Sequence, residues 1–171
     1  MCSGKTTVSD IILKNDGVFR GSSDRIKWLI SNYSGENPNH RLIAKNITLS
    51  AIEGAVKAGL SIVIDGGFGD HRDKYKEIAV NFDLKYLSVN IEAPYEILKQ
   101  RFLERVESSK QSGGKKISVD TIEGFNNRYE WYESYNRDLE AITFDSSIKT
   151  AEEIVLEIEH LISLKNNGGT E

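Results

Sequence analysis

Apolar positions along the chain switch between helical and strand periods, and the switches outline a series of elements. In KTTVSDIILKN, Val8, Ile11 and Ile12 recur at helical spacing until Gly17 stops the run. GVFRGS is a short strand pattern, and SSDRIKWLISNY then shows a serine-rich cap ahead of a helix carrying Ile26, Leu29 and Ile30. GENPNH reads as a loop before a longer helix over 41–58, which Gly59 closes. LSIVIDGG is a continuous apolar run ended by Asp-Gly-Gly, as in a strand buried on both faces. A helix in DHRDKYKEIAVNF, a strand in LKYLSVNIEA and a helix in PYEILKQRFLERVE follow, with Pro94 at the first turn of the last. The polar loop SSKQSGGKK leads to a helix in SVDTIEGFNNRYEWYESYNRDLE. A strand in AITFDSS and an amphipathic helix in TAEEIVLEIEHLISL complete the pattern.

Strands alternating with helices predict an α/β domain: a parallel sheet covered by helices on both faces. A length of 171 residues fits one domain, 1–171, with its own core. An alternating chain that opens on a helix lacks a leading strand, so one is expected ahead of residue 1. No apolar run approaches the ~20 residues of a membrane span, which argues against a membrane partner. A single cysteine, Cys2, excludes an internal disulfide and a cysteine metal cluster, and points to a reducing, cytoplasmic compartment. His40, His71 and His160 do not assemble with Cys2 into a thiol enzyme. A net charge of −4 argues against a dedicated duplex-DNA binder.

The opening MCSGKTT ends in Gly-Lys-Thr, the tail of the phosphate-binding pattern G-x-x-x-x-G-K-[ST], whose first glycine would precede residue 1. Its setting at a helix start gives the motif its meaning, because free N–H groups there cradle phosphate. Cys2, Ser3, Gly4, Lys5, Thr6 and Thr7 are the candidate nucleotide-binding residues. Lys5 would reach the β- and γ-phosphates, the Thr6 hydroxyl would ligate Mg²⁺, and Thr7 could donate to the α-phosphate. After the second strand, Asp24 can take a proton from an acceptor hydroxyl, with Lys27 one turn on to steady it; Asp24 as a plain helix cap is the alternative. Asp65 ends the apolar strand, where ligands of open α/β sheets collect, and is the second metal candidate. Gly66 and Gly67 would admit a substrate close to the backbone, and Arg72 could hold an acceptor phosphate.

Arg101 and Arg105 share a helix face. Lys99, Arg101, Arg105, Lys110, Lys115 and Lys116 outnumber Glu104 and Glu107 there, in a chain that is acidic as a whole. With the glycine-bearing loop beside them, residues 99–118 have the composition of a lid that brings an arginine to a transferring phosphoryl group. Tyr129, Trp131, Tyr132 and Tyr135 at helical spacing read as core packing.

Together these residues resemble the small P-loop kinases of nucleosides, nucleotides and polynucleotides. Asp24 with basic Lys27 three residues on looks like the acceptor motif of phage-type polynucleotide kinase, where arginine is usual in place of Lys27. IVIDGG is similar to that enzyme's third-strand aspartate, and LKQRFLERV to its lid helix, with Arg101 and Arg105 at matching positions. ITFDSS looks like the last strand and loop, which lie against the adenine. The resemblance implies a five-stranded parallel sheet in order 2-3-1-4-5 with the first strand missing from this chain. It also implies Mg²⁺ and ATP as cofactors and a hydroxyl or phosphate acceptor on a small molecule, nucleoside or nucleotide. The lid loop is longer than a compact lid needs. A polynucleotide 5′-hydroxyl kinase and a nucleotide-binding module without turnover are the alternatives. A GTPase-like switch has no N-K-x-D guanine motif to support it. Nucleic acid is the less favoured acceptor, and oligomeric state is not legible in the sequence.

Overall fold

Parallel strands need a long crossover between them, and helices supply it here in both strand pairs. In a computed structural model, the first pair belongs to a compact unit of residues Lys5–Lys85, and the second to a unit formed by Met1–Gly4 with Tyr86–Glu171. The structure describes residues 2–34, 37–66, 71–111, 119–136 and 138–167.

The unit of residues 5–85 runs α1 (Lys5–Ile12), β1 (Val18–Gly21), α2 (Ser23–Lys27), α3 (Pro38–Lys57), β2 (Ser61–Ile64) and α4 (Arg72–Asn81). β1 pairs in parallel with β2, from Val18 opposite Ser61 to Gly21 opposite Ile64. Side chains alternate across a strand, so the two faces of this pair meet different helices. Phe19, Ile62 and Ile64 pack on Ile52 and Val56 of α3 and Ile78 of α4. Arg20 points to the opposite face and pairs with Asp10 of α1 at 2.5 Å. Helices thus cover both faces of this pair. At Gly21 an added Cβ would lie 2.6 Å from the Ile52 Cδ1, so α3 approaches the strand closely because the side chain is missing.

Two boundaries differ from the sequence expectation. α3 starts at Pro38, three residues early, because Asn37 caps it by accepting from the Asn39 N–H and proline suits the first helical position. α2 is only five residues long, its cap Ser22 makes no side-chain cap bond, and the chain leaves the helix at Trp28. Leu29, expected on a packed face, is therefore 81% exposed.

The other unit contains β3 (Val89–Glu92), α5 (Tyr95–Gln111), α6 (Ile122–Trp131), a π-helical turn (Tyr132–Asn136), β4 (Ile142–Asp145) and α7 (Ala151–Asn167). β3 and β4 pair in parallel from Val89 opposite Ile142 to Glu92 opposite Asp145. Leu98, Phe102 and Val106 form the buried stripe of α5 and pack with Phe125 of α6, Cys2, Val119 and Tyr129. The β1–β2 and β3–β4 pairings are the two–three and four–five neighbours of the expected order. Lys115, Lys116 and most of the loop of the expected lid lie outside the described residues.

Candidate functional site

Two residues of the loop motif take a left-handed backbone. Cys2 and Gly4 have φ of 59° and 87°, on either side of Ser3, which is buried. Left-handed residues alternating with others turn successive N–H groups inward, the geometry of an anion-binding nest. At Gly4 the requirement is conformational and not steric, because an added Cβ would meet nothing within 4 Å. α1 begins at the next residue, Lys5, with Thr6 and Thr7 exposed in its first turn and Val8 and Ser9 buried behind them. The Ser9 hydroxyl donates to the Lys5 carbonyl at 2.9 Å.

Within the unit of residues 5–85, the remaining candidates gather at one end of the β1–β2 pair. The Asp65 N–H donates to the Gly21 carbonyl at 3.2 Å, so the chain leaves both strands side by side. One exit leads through Ser22 to Asp24 and Lys27, the other to Asp65 and Gly66, both half-buried. The Arg20–Asp10 pair and the short turn between α1 and β1 make α1 run back along β1. From Asp10 to Lys5 is five helical residues, about 7.5 Å; from Arg20 to Ser22 is two extended residues, about 7 Å. The start of α1 therefore lies level with the strand exits.

The Asp24 side chain is 75% exposed and receives the Lys27 ammonium at 2.5 Å. The Lys27 proximity was legible as an i,i+3 spacing; its role as the partner of Asp24 is what the structure adds. Arg72 opens α4 and is half-buried. Gly67 lies outside the described residues.

Arg101 and Arg105 stand on α5, in the other unit, beside its buried stripe. Arg105 is exposed. Arg101 is engaged: its guanidinium donates to the Ser146 hydroxyl at 2.9 Å and to the Ser146 carbonyl at 2.7 Å. Ser146 in turn donates from its N–H and hydroxyl to the Glu92 carbonyl. The Tyr132 hydroxyl donates to the Glu92 carboxylate at 3.0 Å. Asp145, at the end of β4, is held below its usual carboxylate range by the Ser147 hydroxyl, the Ser147 N–H and the nearby Arg101 charge. In the sequence Tyr132 reads as core packing, and Glu92 is not singled out. A carboxylate at a strand's C-terminal end, the signal used for Asp65, was available for Glu92.

For a metal, Thr6 and Asp65 offer two oxygen donors. Among the described residues no three His, Cys, Asp or Glu side chains converge. Two oxygen donors are the number Mg²⁺ takes from protein, phosphate and water completing its shell. Among the described residues no helix is long and apolar enough to cross a membrane.

No protein-family model and no curated protein sequence matches the chain. Solved structures do. A candidate kinase from Chloroflexus aurantiacus aligns with a TM-score of 0.66 at 16% identity, over 92% of this chain and 91% of its own. The Mycobacterium tuberculosis APS kinase, solved with AMPPNP and APS, gives 0.62 at 12% identity over 95% and 92%. A sugar kinase from a Janibacter species gives 0.59 at 14% identity over 99% and 94%. The chain has an α/β fold of helices and parallel strands. That fold is the one shared by the small P-loop kinases.

Proposed function

We propose that this protein is a kinase that moves the γ-phosphoryl group of ATP to a hydroxyl or phosphate of a small molecule, nucleoside or nucleotide. The observation that carries the reading is the coincidence of two features. A left-handed glycine leads into Lys5 and Thr6 at the start of α1, and carboxylates Asp24 and Asp65 leave the paired strands at that same level. The kinase fold of the structural neighbours supports it, as does the ATP analogue in one of them.

Mg²⁺-ATP, when bound, supplies the electrophilic phosphorus and an ADP leaving group. The residues at 2–4 and the α1 N-terminus would hold the phosphates, Lys5 would neutralise charge on them, and Thr6 and Asp65 would hold the metal. Asp24 takes the acceptor's proton as the acceptor oxygen bonds to the γ-phosphorus, while the bond from that phosphorus to the β–γ bridging oxygen breaks. Lys27 holds the Asp24 carboxylate through their ion pair until the acceptor replaces it as the hydrogen-bond partner. Gly66 and Gly67 leave room for the acceptor, and Arg72 meets its charge. Arg105 supplies positive charge to the transferring group. Arg101 takes a supporting role, holding the loop after β4 on which the adenine would rest. The lid spans 99–118 within a single 1–171 kinase domain.

Titration calorimetry with Mg²⁺-ATP and an acceptor screen for ADP release test the reading. Lys5→Ala should lose ATP binding, and Asp24→Asn should keep ATP affinity within about twofold while losing transfer by a factor of ~10² or more. Unchanged binding in Lys5→Ala would remove the loop from the site. Lost binding in Asp24→Asn would make Asp24 structural.

A further inference from the structure

Beside the acceptor carboxylate, the protein leaves its largest apolar side chain in the open. Asp24, Lys27 and Trp28 stand at i, i+3 and i+4, so Lys27 and Trp28 flank Asp24 on one stripe of α2 and its cap. Lys27 turns to Asp24 and is about one-third exposed. Trp28 is 71% exposed. The same unit buries Ile52, Val56 and Ile78 around Phe19, Ile62 and Ile64, so its core takes smaller side chains and omits the indole. Exposed large apolar residues are not spread evenly over this unit. Trp28, Leu29, Leu42, Ile43 and Ile47 lie on or beside α2 and α3, which pack together; of the described residues only Val80 and Leu84 lie elsewhere in it. Among the described residues no aromatic ring, cation or hydrogen-bond partner engages the Trp28 indole.

We propose that Trp28 is the stacking platform for a planar conjugated ring carried by the acceptor, whose hydroxyl lies against Asp24. This rests on the reading of Asp24 as the acceptor's base, and it narrows that reading. A polyol has hydroxyls for Asp24 but no flat face for an indole and a sugar ring offers it only C–H groups, whereas a heteroaromatic alcohol such as a nucleoside brings both a hydroxyl and a π-face. An indole presents a flat, polarisable face that prefers an offset-stacked or edge-on ring. Its rigid side chain, with only two rotatable bonds, sets the ring's distance from Asp24, so Trp28 selects the acceptor without touching the transferred phosphorus.

The chain has two tryptophans, so a Trp131→Phe background leaves Trp28 as the sole indole reporter. Adenosine, cytidine and 3-pyridylmethanol are titrated into it while Trp28 emission is followed, with ribose as the ringless alcohol; ADP release from Mg²⁺-ATP is measured in parallel. At least one ring alcohol should quench Trp28 saturably, and ribose should not. For that alcohol Trp28→Ala should raise KM at least tenfold with kcat within twofold, and Trp28→Phe should recover most of the loss. The proposal is overturned if none of the three moves the emission, if ribose moves it equally, or if Trp28→Ala leaves KM unchanged. Quenching without ADP release from any alcohol would uphold the stacking site and remove phosphotransfer. ADP release with ribose, indifferent to Trp28→Ala, would uphold phosphotransfer and remove the stacking site.

Discussion

Arg101→Ala separates two ways in which an arginine of α5 can serve the proposed phosphoryl transfer. The guanidinium makes two hydrogen bonds to one residue, Ser146, in the loop that follows β4. Hydrogen bonds from a charged donor contribute roughly 1.5–3 kcal/mol each when desolvated. Two such bonds give about 3 kcal/mol at the lower end; Arg101 is half-buried and Ser146 keeps its own bonds to Glu92, so about half of that, ~1.5 kcal/mol for the pair, is the better figure. About 1.4 kcal/mol is a factor of ten in affinity. If that loop supports the adenine, Arg101→Ala should weaken ATP about tenfold by calorimetry and lower kcat less than tenfold. Arg101→Lys can restore one donor and should fall between the two. An arginine on the transferring phosphoryl group behaves differently, since removing one such donor costs about 10²–10³ in kcat. A hundredfold fall in kcat with unchanged ATP affinity would refute the supporting role and return Arg101 to the reacting phosphorus.

Two further outcomes concern stability. Phe125 is fully buried, stacked on Phe102 with ring centroids 5.0 Å apart and tilted against Tyr95; Phe125→Ala should cost about 3–5 kcal/mol in urea unfolding, and a loss under ~1 kcal/mol would mean that this cluster is loosely packed. Asp145 and Glu153 are both held below their usual range, Asp145 chiefly by the Ser147 hydroxyl and Glu153 chiefly by the Thr150 N–H. A carboxylate lowered in the folded state adds stability above its unfolded pKa and loses it as pH falls through its folded pKa. Urea midpoints should therefore drop as pH falls below about 4.5, and Asp145→Asn with Glu153→Gln should flatten that drop; an unchanged acid limb would contradict the assignment.

Local pattern carried most of the elements and little of the cross-chain chemistry. β2 was legible because an unbroken apolar run has few other homes, and α7 because its period is regular and Thr150 with Glu153 forms a capping box. The start of α3 was read three residues late because Pro38 was counted with the loop and not as a first helical residue. α2 was read too long because a helical stripe was visible in the sequence but its packing partner was not. The same limit applies to the site. Gly4 and the Asp24–Lys27 spacing are local, and both were readable. The Arg101–Ser146 and Tyr132–Glu92 bonds join residues 45 and 40 positions apart, which no local period encodes.

The π-helical turn acquires a further meaning from where its neighbours are tied. Ser88, Asn90 and Glu92 alternate along β3 and so share one face of it. Glu92 holds Tyr132, while Asn90 and Ser88 hold the carbonyl and carboxylate of Asp138. Six residues of chain are thus measured against the strand at both ends, over about 13 Å from Ser88 to Glu92. A strand used in this way is a ruler against which Tyr132 and Asp138 are both set. Residue number between Tyr132 and Asp138 is then fixed more tightly than residue identity. Point substitutions there keep both ties, but a single deletion must surrender one of them.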